Sequence, residues 1–297
     1  MRLRQIEVFH AVYSTGSMTA AAAMLNVSQP SISKVLAHAE QQLGYLLFDR
    51  VKGKLVPTPE AHRLFSHVAT VYSDVDRLRH VAENLRSGNT GHVRVASTPA
   101  FGVELLPRAV ASYRSKHPDV VFEIETLHHD EMTDALLESR VDIGLAFEPG
   151  ATPGIAEQAL ARSRFVVLAP CGTDFGGKTE LSASDLRGHP FIGMNSRGPL
   201  GRQLATYLGS AEAELDIVTW SETYQVAKAL VECGAGVTIT DDITARSGDR
   251  SNLMVLPLTP ALRFEIKALH LASVPLSIGS QNFVKHLSKS LRNFLAR

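Results

Sequence analysis

The chain has 297 residues, 44% of them hydrophobic, with 30 basic and 30 acidic side chains, which is enough for two or three domains and a sizeable core. No apolar run reaches the length of a membrane span, and Glu7 interrupts what would have to be a signal-peptide core, so a cytoplasmic location is expected. Cys171 and Cys233 stand far apart with no CxxC partner, so no disulfide framework, metal or cofactor is expected.

The balanced total hides an asymmetry. Residues 1–65 carry seven basic side chains (Arg2, Arg4, Lys34, Arg50, Lys52, Lys54, Arg63) against four acidic ones (Glu7, Glu40, Asp49, Glu60), a surplus of +3 that the remainder offsets with −3. A basic head on an acidic body fits a nucleic-acid-binding module joined to something else.

Helical spacing of Ile6, Phe9, Val12 and Tyr13 predicts a first helix over 4–14. The stretch 17–44 then reads as two helices joined by a tight turn. Ser17 is the first cap, the run Ala20 to Ala23 favours helix, and Asn26-Val27 breaks the periodicity. The second helix has Ser28 as its cap, Gln29 and Pro30 in its first turn, and Gly44 at the left-handed stop. Ile32, Val35, Leu36, Ala39 and Leu43 form its buried stripe. Ser28, Gln29, Ser31, Ser33 and Lys34 remain at its exposed start, where short hydroxyl and amide groups followed by a lysine suit base edges and phosphates in a major groove. An ordinary helical pair with a solvated polar end is the competing reading.

Leu46, Leu47 and Phe48 return to the core, and 51–56 reads as a small hairpin turning at Lys52-Gly53. Arg50, Lys52 and Lys54 cluster on or beside it, placed for phosphate or minor-groove contact; a solvated hairpin is the alternative. Pro59 opens a long helix over 60–85, about 39 Å at 1.5 Å per residue, with Leu64, Val68, Val71, Val75, Leu78, Ala82 and Leu85 in one stripe. Pairing of that stripe with a second copy would give a dimer with two reading heads; burial against its own chain is the other solution.

The turn-formers at 87–91 mark a domain boundary. Beyond them strands alternate with helices: strands over 92–96, 120–126, 143–147, 164–169, 191–194, 215–219, 237–240, 253–256 and 264–271, helices over 105–116, 132–138, 201–208, 223–233 and 280–296. That alternation predicts a parallel, doubly wound sheet in two α/β lobes with a cleft between them. In such folds ligands sit at the carboxyl ends of strands, where helix N-termini offer unpaired N–H groups. The strand ends that stand out are Ser97-Thr98, Phe147-Glu148, Asn195-Ser196-Arg197 and Glu222-Thr223. Their hydroxyls with one arginine, Arg197 or Arg202, favour a small carboxylate. Thr98 and Thr223 equally suit plain helix caps, and Arg197 a surface loop.

Taken in order, the 17–44 pair, LFDR at 47–50, the Lys52-Gly53 hairpin, the Pro57-Thr58 step and the long helix resemble the N-terminal signature of LysR-type transcriptional regulators. LLPRAVASYRSKHPDV (105–120), VDIGLAF (141–147) and CGAGVTI (233–239) resemble their effector domain. The resemblance covers essentially the whole chain. It implies an α/β multidomain protein: a winged helix-turn-helix (1–58), a linker and dimerisation helix (59–87), and a two-lobed, periplasmic-binding-protein-like effector domain (88–297; lobe I about 91–160 and 268–297, lobe II about 161–267). It further implies that Gln29, Pro30, Ser31, Ser33 and Lys34 start the recognition helix, that Arg50 and Lys52 lie at the wing, and that Thr98, Asn195, Ser196 and Thr223 meet an inducer. Its partners would be operator DNA, a small-molecule effector, RNA polymerase and further copies of itself in a homodimer or homotetramer. Ala61 stands where many members have glycine. With the VKGKLVPT wing and the SETYQVAKALVECGAGV run, that variant is similar to the branch of the lysine-biosynthesis activator and the opine-catabolism regulators, so an amino-acid-like effector is expected, with Glu148, Glu222 or Asp241 for its ammonium group.

No G-x-S-x-G elbow, H-E-x-x-H or Gly-rich phosphate loop is present, and His128-His129 is adjacent where metal ligands would be spaced, so an enzyme is not expected. A stand-alone small-molecule-binding protein would leave the basic head and long helix unexplained. A ligand-independent repressor differs from the sensor only by effector titration.

Overall fold

Capping and periodicity shape the first helices as the spacing predicts. They are α1 (Leu3–Thr15), α2 (Met18–Met24) and α3 (Gln29–Leu43). The Ser17 side chain accepts from the Ala20 N–H, and Gly16 and Gly44 end α1 and α3 at φ of +65° and +79°, a region glycine enters without a Cβ penalty. Asn26, at φ +53°, makes the left-handed turn between α2 and α3, as a short polar side chain tolerates better than a branched one. A two-stranded wing follows, β1 (Phe48–Val51) antiparallel to β2 (Lys54–Pro57), and then α4 (Pro59–Ser87). Glu40 Oε1 accepts the backbone N–H groups of Leu47 and Phe48 at 2.7 and 3.2 Å, fixing the approach to the wing against α3. The Thr58 hydroxyl accepts from the Ala61 N–H at 3.2 Å, starting α4. The structure, a computed structural model, describes residues 1–51, 54–87, 91–148 and 150–296. Its backbone divides into two units, Met1–Ala82 and Glu83–Arg297.

The first unit is built on Phe9, whose ring meets those of Phe48 and Phe65 at 5.8 and 6.2 Å, with Val8, Val12, Ile32, Leu36, Leu47 and Ala61 around it. Ala61 is fully buried in this core. Among the described residues of α4 the first turns join it: Val68 is buried, whereas Val71 and Leu78 are 41% and 68% exposed. The side chains of Ala82 and Leu85 lie outside the described residues.

The second unit begins with β3 (His92–Ser97), α5 (Pro99–Gly102), α6 (Leu105–Arg114), β4 (Val121–Thr126), α7 (His129–Leu137) and β5 (Ile143–Phe147). Strand β3 lies parallel to both β4 and β5. Then come β6 (Ile155–Pro170), β7 (Pro190–Met194), α8 (Gly198–Leu208), β8 (Asp216–Ser221), α9 (Tyr224–Glu232), β9 (Thr238–Asp241), α10 (Asp242–Arg246), β10 (Leu253–Pro257), β11 (Arg263–Leu271) and α11 (Ile278–Leu295).

The expectation of a parallel, doubly wound sheet is corrected here. The seven-stranded sheet is mixed: β11 runs antiparallel to both β5 and β6, while β9 and β10 run antiparallel to β6. Strand β6 is 16 residues long. Residues 155–164 pair with β11, and residues 165–170 with β9 and β10, so one strand serves both halves of the sheet. The spacing predicts only 164–169 because residues 157–159 are exposed in succession and give that half no apolar signature. Strands β7 and β8 form a separate parallel pair. Strand β6 thus runs through both halves of the sheet.

Candidate functional site

In the first unit the polar start of α3 is presented as one surface. Ser28, Gln29, Pro30, Ser31 and Lys34 are exposed and Ser33 is half-buried, while Ile32, Leu36 and Ala39 hold the opposite face in the core. Ser28 occupies the cap position without making a side-chain cap bond; its hydroxyl pairs with that of Ser31 at 2.9 Å. The wing strands bring the backbone of Arg50 opposite Leu55, and that of Lys54 opposite Val51. Lys52 lies outside the described residues, as do the side chains of Arg50 and Lys54.

In the second unit a cleft of about 90 Å³ opens between the lobes. Its walls come from the beginnings of four helices. The N-cap residues Thr98 of α5, His128 of α7, Arg197 of α8 and Thr223 of α9 all line it. Three of these helices, α7, α8 and α9, have nine, 11 and nine residues, and the partial positive charge at each start favours an anion. Among the described residues, three buried polar atoms on cleft-lining side chains have no hydrogen-bond partner: Thr98 Oγ1, His129 Nδ1 and the Tyr224 hydroxyl. Unpaired buried polar atoms are uncommon in folded proteins and point to a missing partner.

The cleft gathers Thr98, Phe147, Asn195, Arg197 and Thr223 from the residues expected there. It does not gather Ser97, Glu148 or Ser196. Ser97 is fully buried in β3. Ser196 is exposed. Glu148, at φ +34°, turns toward β11, its N–H donating to the Glu265 carbonyl and its carboxylate accepting the Glu265 N–H at 2.5 Å. That carboxylate is therefore engaged with the backbone. Arg197 stands 3.6 Å from Glu222, which also lines the cleft. The Thr223 hydroxyl accepts from the Val226 N–H at 3.3 Å, the capping role named as its alternative.

Sequence reasoning missed His128, His129, Tyr224 and Gln225. The adjacent histidines lack metal-ligand spacing but form a helix start, a signal available from His128-x-x-Glu131: the Glu131 carboxylate accepts the His128 N–H at 2.9 Å, half of a capping box. Burial holds the His129 imidazole below its ordinary range, so it stands neutral near pH 7.

Behind Tyr224 lies Asp241, fully buried. Its Oδ1 accepts the Thr244 N–H at 2.8 Å, and its Oδ2 has no hydrogen-bond partner among the described residues. Burial raises its pKa from 3.8 to about 6, and burial with the nearby Asp241 charge pushes the Tyr224 hydroxyl up. Since the folded form holds its proton more tightly, it binds more protons than the unfolded chain between about pH 4 and pH 6. The resulting stabilisation is complete below the lower value and is lost as pH rises through the upper one. Asp241→Asn keeps the cap acceptor and is expected to flatten stability against pH across that window in urea melts; a slope equal to that of the wild type would count against it.

Residues 3–62 match the family described as bacterial regulatory helix-turn-helix protein, lysR family, and residues 86–292 match the LysR substrate binding domain. The chain belongs to the LysR family. Its members are transcriptional regulators, not enzymes. The HTH-type transcriptional regulator DgcR of Pseudoalteromonas sp is 40% identical over 98% of this chain and 100% of that protein. The transcriptional activator protein LysR of Escherichia coli is 32% identical over 98% of this chain and 94% of that protein. Full-length CbnR complexed with its target DNA superposes with a TM-score of 0.71 at 22% identity, over 98% of this chain and 100% of that one, and shares its fold. In this LysR-family chain the N-terminal match carries the exposed α3 surface, and the substrate-binding match carries the cleft. Among the described residues no helix is long and apolar enough to cross a membrane.

Proposed function

We propose that this LysR-family regulator acts in the cytoplasm and reads operator DNA with Ser28, Gln29, Pro30, Ser31, Ser33 and Lys34 in the major groove and Arg50, Lys52 and Lys54 along the backbone, and that a small carboxylate in the cleft tunes its action on transcription. Residues 1–58 serve as the reading head, 59–87 as the dimer helix and 88–297 as the effector domain. The observation that carries the sensor reading is the convergence of four helix N-caps on one cleft lined by residues with unpartnered polar atoms. A carboxylate answers the helix starts and Arg197; the Tyr224 hydroxyl and His129 Nδ1 are left for the polar remainder of an amino-acid-like molecule. The exposed Val71 and Leu78 of α4 support a homodimer, or a tetramer of two dimers, through that helix. The ligand shifts populations by its difference in affinity between two lobe arrangements, altering DNA geometry and contact with RNA polymerase.

The test is a binding titration against the intergenic DNA upstream of the protein's own gene, at two salt concentrations, with and without a panel of amino acids and opines. Lys34→Ala is expected to weaken binding and lower the salt slope by about 1, and Gln29→Ala to relax base preference by about 1–3 kcal/mol. Unchanged isotherms for both would remove α3 from the groove. A ligand-induced change in the wild-type complex that Thr98→Val shifts to about fivefold higher concentration, the cost of one hydrogen bond, supports the cleft; an unresponsive complex leaves a ligand-independent repressor.

A further inference from the structure

A second cavity, of about 400 Å³, lies on another face of α9, within the range of about 300–1,000 Å³ common to small-molecule pockets. Gln225, Lys228, Ala229 and Glu232 of α9 form one wall; their spacing of three and four projects them together. Ser247, Gly248, Asp249, Ser251, Asn252 and Leu253 form the facing wall, and Val103 closes one side.

The cavity is built around a buried charge. The Lys228 side chain is 9% exposed. Its ammonium donates to the Ser247 carbonyl, and its nearest carboxylate oxygen, on Glu232, is 3.6 Å away, beyond hydrogen-bond reach. Among the described residues, one of its three donors is hydrogen-bonded, and Glu232 balances its charge as an ion pair. Gly248 lies beside the ammonium, at φ +73°, where a Cβ would be in ordinary contact 3.7 Å from Nζ.

The rim has the opposite sign. Glu232 and Asp249 both line the cavity. Asp249 accepts the Ser251 N–H and hydroxyl at 2.9 and 3.0 Å, which hold its carboxyl below its ordinary range, with Lys228 adding to the effect. One cation faced by two carboxylates repels a plain anion, and the buried ammonium repels a plain cation. A molecule carrying both charges meets both. Gln225 and Asn252 add amide groups to the lining.

We propose that this cavity is a second ligand site, for a free amino acid, its α-carboxylate on Lys228 Nζ and its ammonium between Glu232 and Asp249. Gln225 also lines the inter-lobe cleft, and its amide donates to the Thr244 hydroxyl at 3.1 Å, so occupants of the two sites touch a common side chain.

The test is calorimetric titration of the full-length protein with each of the twenty common amino acids, and with the amine and the 2-oxo acid of any that binds, using wild type, Lys228→Met, Ala229→Trp and Thr98→Val. Ala229 is on the exposed face of α9, so tryptophan there obstructs the cavity with Lys228 in place. At least one amino acid is expected to lose about tenfold in affinity in both Lys228→Met and Ala229→Trp while Thr98→Val stays within about twofold, and its amine and 2-oxo acid are expected not to bind. Should Lys228→Met fail to fold by circular dichroism, Ala229→Trp decides alone. The proposal is overturned if no amino acid binds at millimolar concentration, if every binder is lost in Thr98→Val and kept in Ala229→Trp, or if the 2-oxo acid binds as well as the amino acid.

Discussion

Gly236→Ala is expected to destabilise the effector unit by about 4 kcal/mol, combining backbone strain with a steric overlap. Gly236 holds φ +149°, and a Cβ there would stand 2.2 Å from the Pro190 carbonyl oxygen and 2.8 Å from its carbon. These are backbone atoms, and they cannot swing aside as a side-chain end can. The same carbonyl accepts the Val237 N–H at 2.8 Å, and Ile192 donates to the Val237 carbonyl at 2.9 Å. Moving apart to admit a methyl group would break the bridge between β7 and the start of β9. For a unit of this size the loss corresponds to a fall in Tm of roughly 10 °C. Trp220 is the one tryptophan of the chain, with its ring packed over Gly193 of β7, so its fluorescence reports on this part of the fold. A Tm within about 2 °C of wild type would show that β7 and β9 part without cost.

Phe9→Ala is expected to remove DNA binding without touching a DNA-facing residue. The Phe9 ring is fully buried and is the common neighbour of Tyr13, Phe48 and Phe65 at 5.8–6.2 Å. Its truncation costs about 3–5 kcal/mol in a core that cannot collapse around the void, comparable with the whole stability of many small domains. The start of α3 would then lose the Ile32 and Leu36 packing that aims it. Leu3→Ala, at a side chain 49% exposed, provides the control and is expected to stay within about 0.5 kcal/mol. Far-ultraviolet circular dichroism melts and operator titrations on the two variants make the comparison; equal binding by both would place the stability of the head elsewhere.

The chemistry of these sites was legible to different depths. The α3 surface could be read from residues because every part of it is local: the cap position, Pro30 in the first turn, the three-and-four spacing of Ile32, Leu36 and Ala39, and Gly44 at the stop all act within one helix. Thr98, Phe147, Asn195, Arg197 and Thr223 could be placed at one cleft because a strand end followed by a helix start is also a local signal. Glu148 carried the same signal and went elsewhere, since its left-handed backbone and the neighbouring β11 decide its direction. Tyr224 gave no such warning, and Asp241, expected to meet an ammonium group, is fully buried behind it.

Spacing, caps and turn-formers work over a few residues, so residue order alone locates most helices and strands, though not all their starts, along with the apolar stripe of each helix and the short polar residues before α3, α8 and α9. The antiparallel run of β11 against β5 and β6, the passage of β6 through both halves of the sheet, the meeting of four helix starts at one cleft and the burial of Asp241 and Lys228 arise from tertiary packing. Strand direction leaves no trace in periodicity, and the burial of a single charged side chain is set by elements far away in the chain that close over it.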